Sequence, residues 1–433
     1  MKSAGIIGMI AGIIFFGIGC DSSSTGGGGG TPTEITGGDV SGIWAADQSP
    51  YLIMGDISVP EGDTLKIFAG VEVLFQGYYS LNVAGTLIGN GTFSDSIYFT
   101  AADESEGWHG VRFNKAVGDF LYCVIEHGHA WGDNPDGKGG GIYADSSSVW
   151  LAHCAIRHCS ADTSIYGYGG GLYSNQYAQL EFCEISDNSA RIGGGLSCSG
   201  VANLAGCRII NNSANDGGGI HGDVFSEVSL NSTYIIGNSA VWGGGGGYFA
   251  SPYGFIDGID DAALIRYCQI SENSAGQFGG GLMFDWGLAP DLINCTLVDN
   301  NSASDGAAVY ALTAGLSLVN SIISGNEGNN AIFLMDIGST VTEISYSDFW
   351  ENGGGNMMGD GVPDSFGNLE GTNANGDSCD TYLNIFLDPA FDIDNAGAYH
   401  LSSISPCIDA GDPVAELDPD GSIADMGAFY FPQ

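Results

Sequence analysis

Seven times between Gly139 and Ala308 the chain runs Gly-Gly-Gly, or a close variant, into an apolar residue. Between most of these runs lies the phrase Cys-x-Ile-x-x-Asn-Ser-Ala, plainest at Cys183–Ala190 and Cys207–Ala214. The glycine runs at 169, 193 and 217 are 24 residues apart, too short for two packed helices per unit, so the repeat is read as strands and the chain as a β-solenoid. Cys and Ile two residues apart point to one face of a strand. Stacked coil on coil they predict a column of cysteines (Cys123, Cys154, Cys183, Cys207, Cys268, Cys295) beside a column of isoleucines. The cysteines are read as a buried ladder of small hydrophobes, with coil-to-coil disulfides as the alternative. The asparagines five residues on (Asn188, Asn212, Asn273, Asn300) are read as turn residues, because Asn tolerates the left-handed backbone a strand end requires.

The pattern extends beyond the glycines. Leu65–Phe75, Tyr79–Leu87, Ser96–Thr100 and Trp108–Phe113 alternate as short strands, and Ser321-Ile322-Ile323 continues the Cys step with serine. The fold expected is all-β, a single-stranded parallel β-helix over 39–355 of about a dozen coils and roughly 55–60 Å long. Residues 356–433, rich in Asp and Gly, are expected to cap it, since an open last coil exposes strand edges. Three extra stretches, Trp131–Lys138, Asp162–Tyr168 and Tyr248–Ala263, must leave the rod as loops, expected on one side, and loops on a rigid scaffold are where binding concentrates. Cys379 and Cys407, outside the repeat, are disulfide candidates.

These glycine-run and Ile-x-x-Asn repeats resemble the right-handed parallel β-helix surface proteins of bacteria, and those of the polymorphic outer-membrane protein family. Ser49-Pro50-Tyr51 with Val83-Ala84-Gly85-Thr86-Leu87 is similar to the first coils of such proteins, and Ser405–Pro413 with Asp425–Phe429 to their ending. The resemblance covers residues 40–433 and implies a right-handed solenoid. It says little about activity, because adhesins, lyases, hydrolases and passive spacers share the scaffold.

The N-terminus carries a second signal. Lys2, the apolar run Ala4–Gly19 and then Cys20 describe a secretory signal over 1–20. The Cys directly after a small residue looks like a bacterial lipoprotein signal, which implies lipidation of Cys20, with an uncleaved anchor or an ordinary signal peptide as the alternatives and the Ser/Gly-rich stretch 21–38 as a flexible tether. Export to the outer membrane or cell surface is expected. The net charge is −42 and no Lys or Arg follows Arg266. Nucleic acid is thereby excluded as a partner, since phosphate contacts need basic side chains. The same charge disfavours polyanions, and a monomer is expected.

Candidate chemistry concentrates in one place. Alignment on the Cys step sets Glu126 over Arg157 and His127 over His158, with His109 one coil earlier and His129, Trp131, Asp133 and Lys138 following. A lyase would need a base and a cation there, a hydrolase two spaced carboxylates; a solvent-facing polar stack is the plainer alternative. The polygalacturonase and pectate lyase phrases are absent, and Asp260-Asp261 stands without partners. Asp418, Asp420 and Asp425 space oxygens as a short calcium loop does, or as an Asp/Gly turn does, and Asp388, Asp392 and Asp394 form a second acidic knot. Aromatic residues in or near loops (Trp131, Trp150, Trp242, Trp286, Trp350, Tyr166, Tyr168, Tyr248, Tyr253) suit either sugar stacking or the shielding of strand ends. The function expected is binding of an extracellular polysaccharide or a surface protein, with a polysaccharide lyase or hydrolase, or a structural spacer, as alternatives.

Overall fold

The computed structural model describes residues 32–162, 166–224, 226–250, 263–285, 290–312, 315–335 and 342–433. Cys20, Trp286, Tyr253, Asp260 and Asp261 lie outside the described residues. Short strands recur in threes and stack into three parallel sheets, here A, B and C, of 13, 13 and 12 strands. The result is an all-β parallel solenoid of about a dozen coils, each running from A to B to C. One 3-10 turn, Ala46–Gln48, is the only helical element among the described residues, and none of them forms a helix long and apolar enough to cross a membrane. The first coil starts at Thr33–Ile35, which pairs with Tyr51–Ile53, so the solenoid begins inside the stretch read as a tether. Composition flags the glycines there, but the alternation of Thr33-Glu34-Ile35 gains a parallel partner.

Register is strict. Ile156, Ile185, Ile209, Ile235 and Ile270 stand side by side across sheet A, all fully buried. Each such side chain contributes about 1.5–3 kcal/mol by leaving water. The repeated cysteines are buried free thiols. Thr233, Ser321 and Ser347 take the same slot in other coils, and thiol or hydroxyl alike bonds the carbonyl two residues back, as in Cys154 to Ala152 (3.3 Å) and Ser321 to Val319 (3.0 Å). Toward the N-terminal end the core becomes aromatic, with Phe75 stacked on Trp108 at 4.1 Å.

The asparagines do something other than turn the chain. The left-handed backbone belongs to the preceding residue, Asp187, Asn211, Glu272 or Asp299. Asn188, Asn212, Asn273 and Asn300 are buried instead, joined by Asn238, Asn326 and Asn352 in one ladder. Asn212 Nδ2 donates to the Ile185 carbonyl (2.8 Å) and to Asn238 Oδ1 (3.0 Å), while its Oδ1 accepts from both nitrogens of Asn188. The glycine ridge packs beside this ladder. A Cβ on Gly194 would stand 2.4 Å from the carbonyl oxygens of Gly218 and Ser213, so no side chain fits there.

Two further expectations change. The inserted stretches differ in their place along a coil: Trp131–Lys138 and Asp162–Tyr168 stand between strands of sheets A and B, whereas Tyr248–Ala263, most of which lies outside the described residues, leads in sequence from Gly247–Phe249 of sheet B to Leu264–Arg266 of sheet C. The C-terminal segment both caps and returns. Asn384-Ile385 adds a last rung on Ser347 and Phe349, over a cluster of Phe349, Phe366 and Phe386. Residues 388–433 then run back along the outside of sheet A as far as Tyr234, whose ring meets Phe429 at 5.7 Å. Cys379 and Cys407 lie in one small core there, yet both are free thiols.

Replacing Asn238 by Ala removes the acceptor for both Asn212 nitrogens and the donor to Ile209 and Asn273. We expect it to cost about 3 kcal/mol of unfolding free energy, read from urea denaturation. An unchanged midpoint would mean that the ladder contributes nothing to stability.

Candidate functional site

Four of the seven histidines, His109, His127, His129 and His158, lie where sheet A turns into sheet B in three successive coils. Parallel register sets Glu126 beside Arg157. Both Nε and Nη2 of Arg157 reach the same Glu126 oxygen, at 2.9 and 2.8 Å, with the side chains 20% and 14% exposed. His127 and His158, both left-handed, stack with ring centroids 5.5 Å apart, and His127 Nε2 stands 3.9 Å from Glu104. A guanidinium clamped on a carboxylate would have to leave its partner and lose a proton before acting as a base. Arg157 and Glu126 neutralise each other.

Around this pair an aromatic shoulder forms. Tyr78 stacks on His109 (5.1 Å) and on Trp131 (5.6 Å), and Trp131 also meets His129 (5.5 Å). The Trp131 amide donates to Tyr78 Oη, His109 Nε2 pairs with the Asp136 carbonyl, and His129 Nδ1 with that of Glu106. Trp131 remains 53% and Tyr78 38% exposed. The shoulder is therefore braced beneath while its rim faces water.

The brace is a residue that sequence reasoning misses. Arg112, buried on the outer side of sheet B, donates to the carbonyls of Pro135, Lys138 and Gly139 and stacks its guanidinium 4.3 Å from the Tyr143 ring. Burial pushes its pKa down to about 10. Lys138 in turn lies over Tyr168 and Tyr173. Arg112 follows Asn82 in a row along sheet B that continues through Tyr143, Tyr173, Ser197, His221, Tyr248, Met283, Tyr310 and Phe333. Its signal was present in the sequence: Arg112, Tyr143, Tyr173, His221 and Tyr310 follow the apolar position after a glycine, a glycine run or a close variant of one. Rings within the row stack on one another, as His221 does on Tyr248 at 5.4 Å, so the row mainly holds coils together.

The acidic C-terminal candidates are occupied by the protein's own backbone. Asp425 accepts from the Asp409 and Phe431 amides, Asp418 from the Asp425 amide, and Asp420 from Ser422 and the Gln433 amide. Asp388 and Asp394 likewise close turns on Ala390 and on Ala396 and Ala398. No group of three or more His, Cys, Asp or Glu is placed to hold a metal among the described residues. Trp150 and Trp242 are exposed elsewhere on the rod and do not join the shoulder. Against known protein families, curated proteins and solved structures, the chain finds no match.

His109, His127 and His129 are each held below the usual imidazole value of 6.5, chiefly because burial penalises their charged forms. The folded shoulder thus prefers neutral rings: its stability is fully present above 6.5 and is lost as pH falls through the depressed values. We expect amide exchange in residues 127–139 to accelerate below about pH 6 before the central coils respond. Equal pH dependence in both regions would contradict it.

Proposed function

We propose that this chain is a cell-surface binding module that holds an extended, neutral polysaccharide on the shoulder between sheets A and B. One observation carries the reading: an exposed indole, Trp131, is fixed beside Tyr78 by the buried Arg112 staple, with Asp136 and Asp162 bonded into the same loops. Sugars stack on such rings while their hydroxyls meet carboxylates and backbone at the rim. The mutual neutralisation of Glu126 and Arg157 favours recognition over chemistry at this place. A net charge of −42 favours a neutral polymer over a polyanion.

Soluble protein starting at Thr31 is to be mixed with neutral and acidic polysaccharides, with and without calcium, and followed by size exclusion. Co-elution with an intact neutral polymer, weakened about 10-fold by Trp131→Ala, is the expected result. Shortened polymer that disappears in Arg157→Ala would make the site a lyase or hydrolase. Neither shortening nor co-elution would leave a spacer.

We propose further that the chain is exported and tethered by lipid on Cys20. Incorporation of labelled palmitate, abolished by Cys20→Ser, is expected; label retained in the variant would refute the tether.

A further inference from the structure

The returning segment is gripped by side chains of the coils beneath it. Gln269 donates to the Gly397 carbonyl (2.7 Å) and accepts from the Tyr399 amide (3.1 Å). Thr296 Oγ1 accepts from Ala428, Asn294 donates to the Asp425 carbonyl, and Asn320 accepts from Asp412. Ile322, on the outer face of sheet A, enters the strap's own apolar core with Leu401, Cys407 and Met426. The fit is close, since a Cβ on Gly427 would come within 2.9 Å of Ile322.

Under this strap lies one group that does not belong in an apolar seam. Asp348, in the last full strand of sheet A, is 0% exposed. Its Oδ1 accepts from the Leu387 amide at 3.1 Å, and its Oδ2 lies 3.6 Å from Cys407 Sγ. Among the described residues no salt bridge reaches Asp348, and the 167 residues after Arg266 contain 24 Asp and Glu but no Lys or Arg. The strap's one histidine, His400, faces Asp394 at 3.5 Å. The titratable groups that do face this seam, Asp388 and Cys407, with Asp425 behind the thiol, would add negative charge.

We propose that residues 388–433 form a proton-gated strap: a proton shared between Asp348 and its neighbours holds the strap on sheet A, and loss of that proton releases it, baring the face around Ile322, Thr296 and Gln269. Burial of a carboxylate that has hydrogen-bond donors but no counter-charge is costly, and the protein avoids that cost by keeping the acid neutral. In the docked state burial raises the Asp348 pKa from 3.8 to about 7. The docked state therefore binds more protons than the released one between those values, and docking weakens as pH rises through the interval. This sense is opposite to that of the histidine shoulder. Release would make the covered part of sheet A continuous with its uncovered first coils.

Amide exchange of the whole protein at pH 5 and pH 8, corrected for intrinsic rates, tests the gate. Peptides from 388–433 are expected to lose ~10-fold or more protection at pH 8 while those from 193–222 keep theirs. Asp348→Asn, which retains an acceptor for the Leu387 amide, is expected to lose most of that pH response, the remainder belonging to Asp418 and Asp425, whose carboxyls burial also raises. Equal strap protection at both pH values in the native protein would overturn the gate. So would an unchanged pH response in the variant, or loss of protection by strap and central coils together.

Discussion

A buried carboxamide that must bond both up and down the axis is the constraint on which the rest of this molecule depends. Each asparagine of the ladder from Asn188 to Asn326 bonds a carbonyl and an amide of the coil before it and donates to the asparagine of the coil after it, so no coil can slip or tilt without orphaning polar groups in the core. With rise and register pinned, aliphatic columns stack without offset, and the glycine ridge beside the ladder can let backbones approach until no Cβ fits. Strict register also propagates outward. Whatever one coil displays stands one rise from what the next displays, which is why histidines stack on histidines and tyrosines on tyrosines along the flanks.

Much of this was legible because the period is short and the partners are equivalent. Cys-x-Ile names the inward face of sheet A in five coils, and alignment on that step brings Glu126 to Arg157 without knowledge of the other two sheets. The asparagine was misread because one residue type serves both a left-handed turn and a buried ladder. What separates the two is the residue before it: polar Asp187, Asn211, Glu272 and Asp299, with Gly237 and Gly325 in the same place, carry the positive φ. Arg112 escaped notice because its partners are main-chain carbonyls of a loop, which have no letter in the sequence. The strap escaped for a different reason. Its contacts with Gln269, Asn294 and Thr296 span about 130 residues and obey no period, and periodicity was the instrument of reading.

Charge is handled in opposite ways at the two sites. On the shoulder, positive and negative groups neutralise each other and the rings are neutral, so the surface offers shape and apolar area. Under the strap, carboxylates accumulate without a basic residue anywhere in the surrounding sequence, and the structure spends backbone amides on them: Leu387 on Asp348, Asp409 and Phe431 on Asp425. Amides stabilise a carboxylate but do not cancel its charge. The C-terminal third is thus the part of the molecule whose packing is most exposed to the ionic conditions outside it.

The three central glycine runs, at 169, 193 and 217, carry the most regular units of the chain. The shoulder lies on one side of them and the strap on the other, and each is built from residues that occur once. A coil copied or deleted among the central ones would keep its asparagine, its isoleucine and its glycines in register with new neighbours. The same edit at the shoulder would separate Glu126 from Arg157, and under the strap it would put Gln269, Thr296 and Asn320 out of reach of the backbone they bind. The molecule is in this sense a rule of adjustable length with fixed fittings at both ends, and the middle is where a lineage of such chains is free to vary the distance between them.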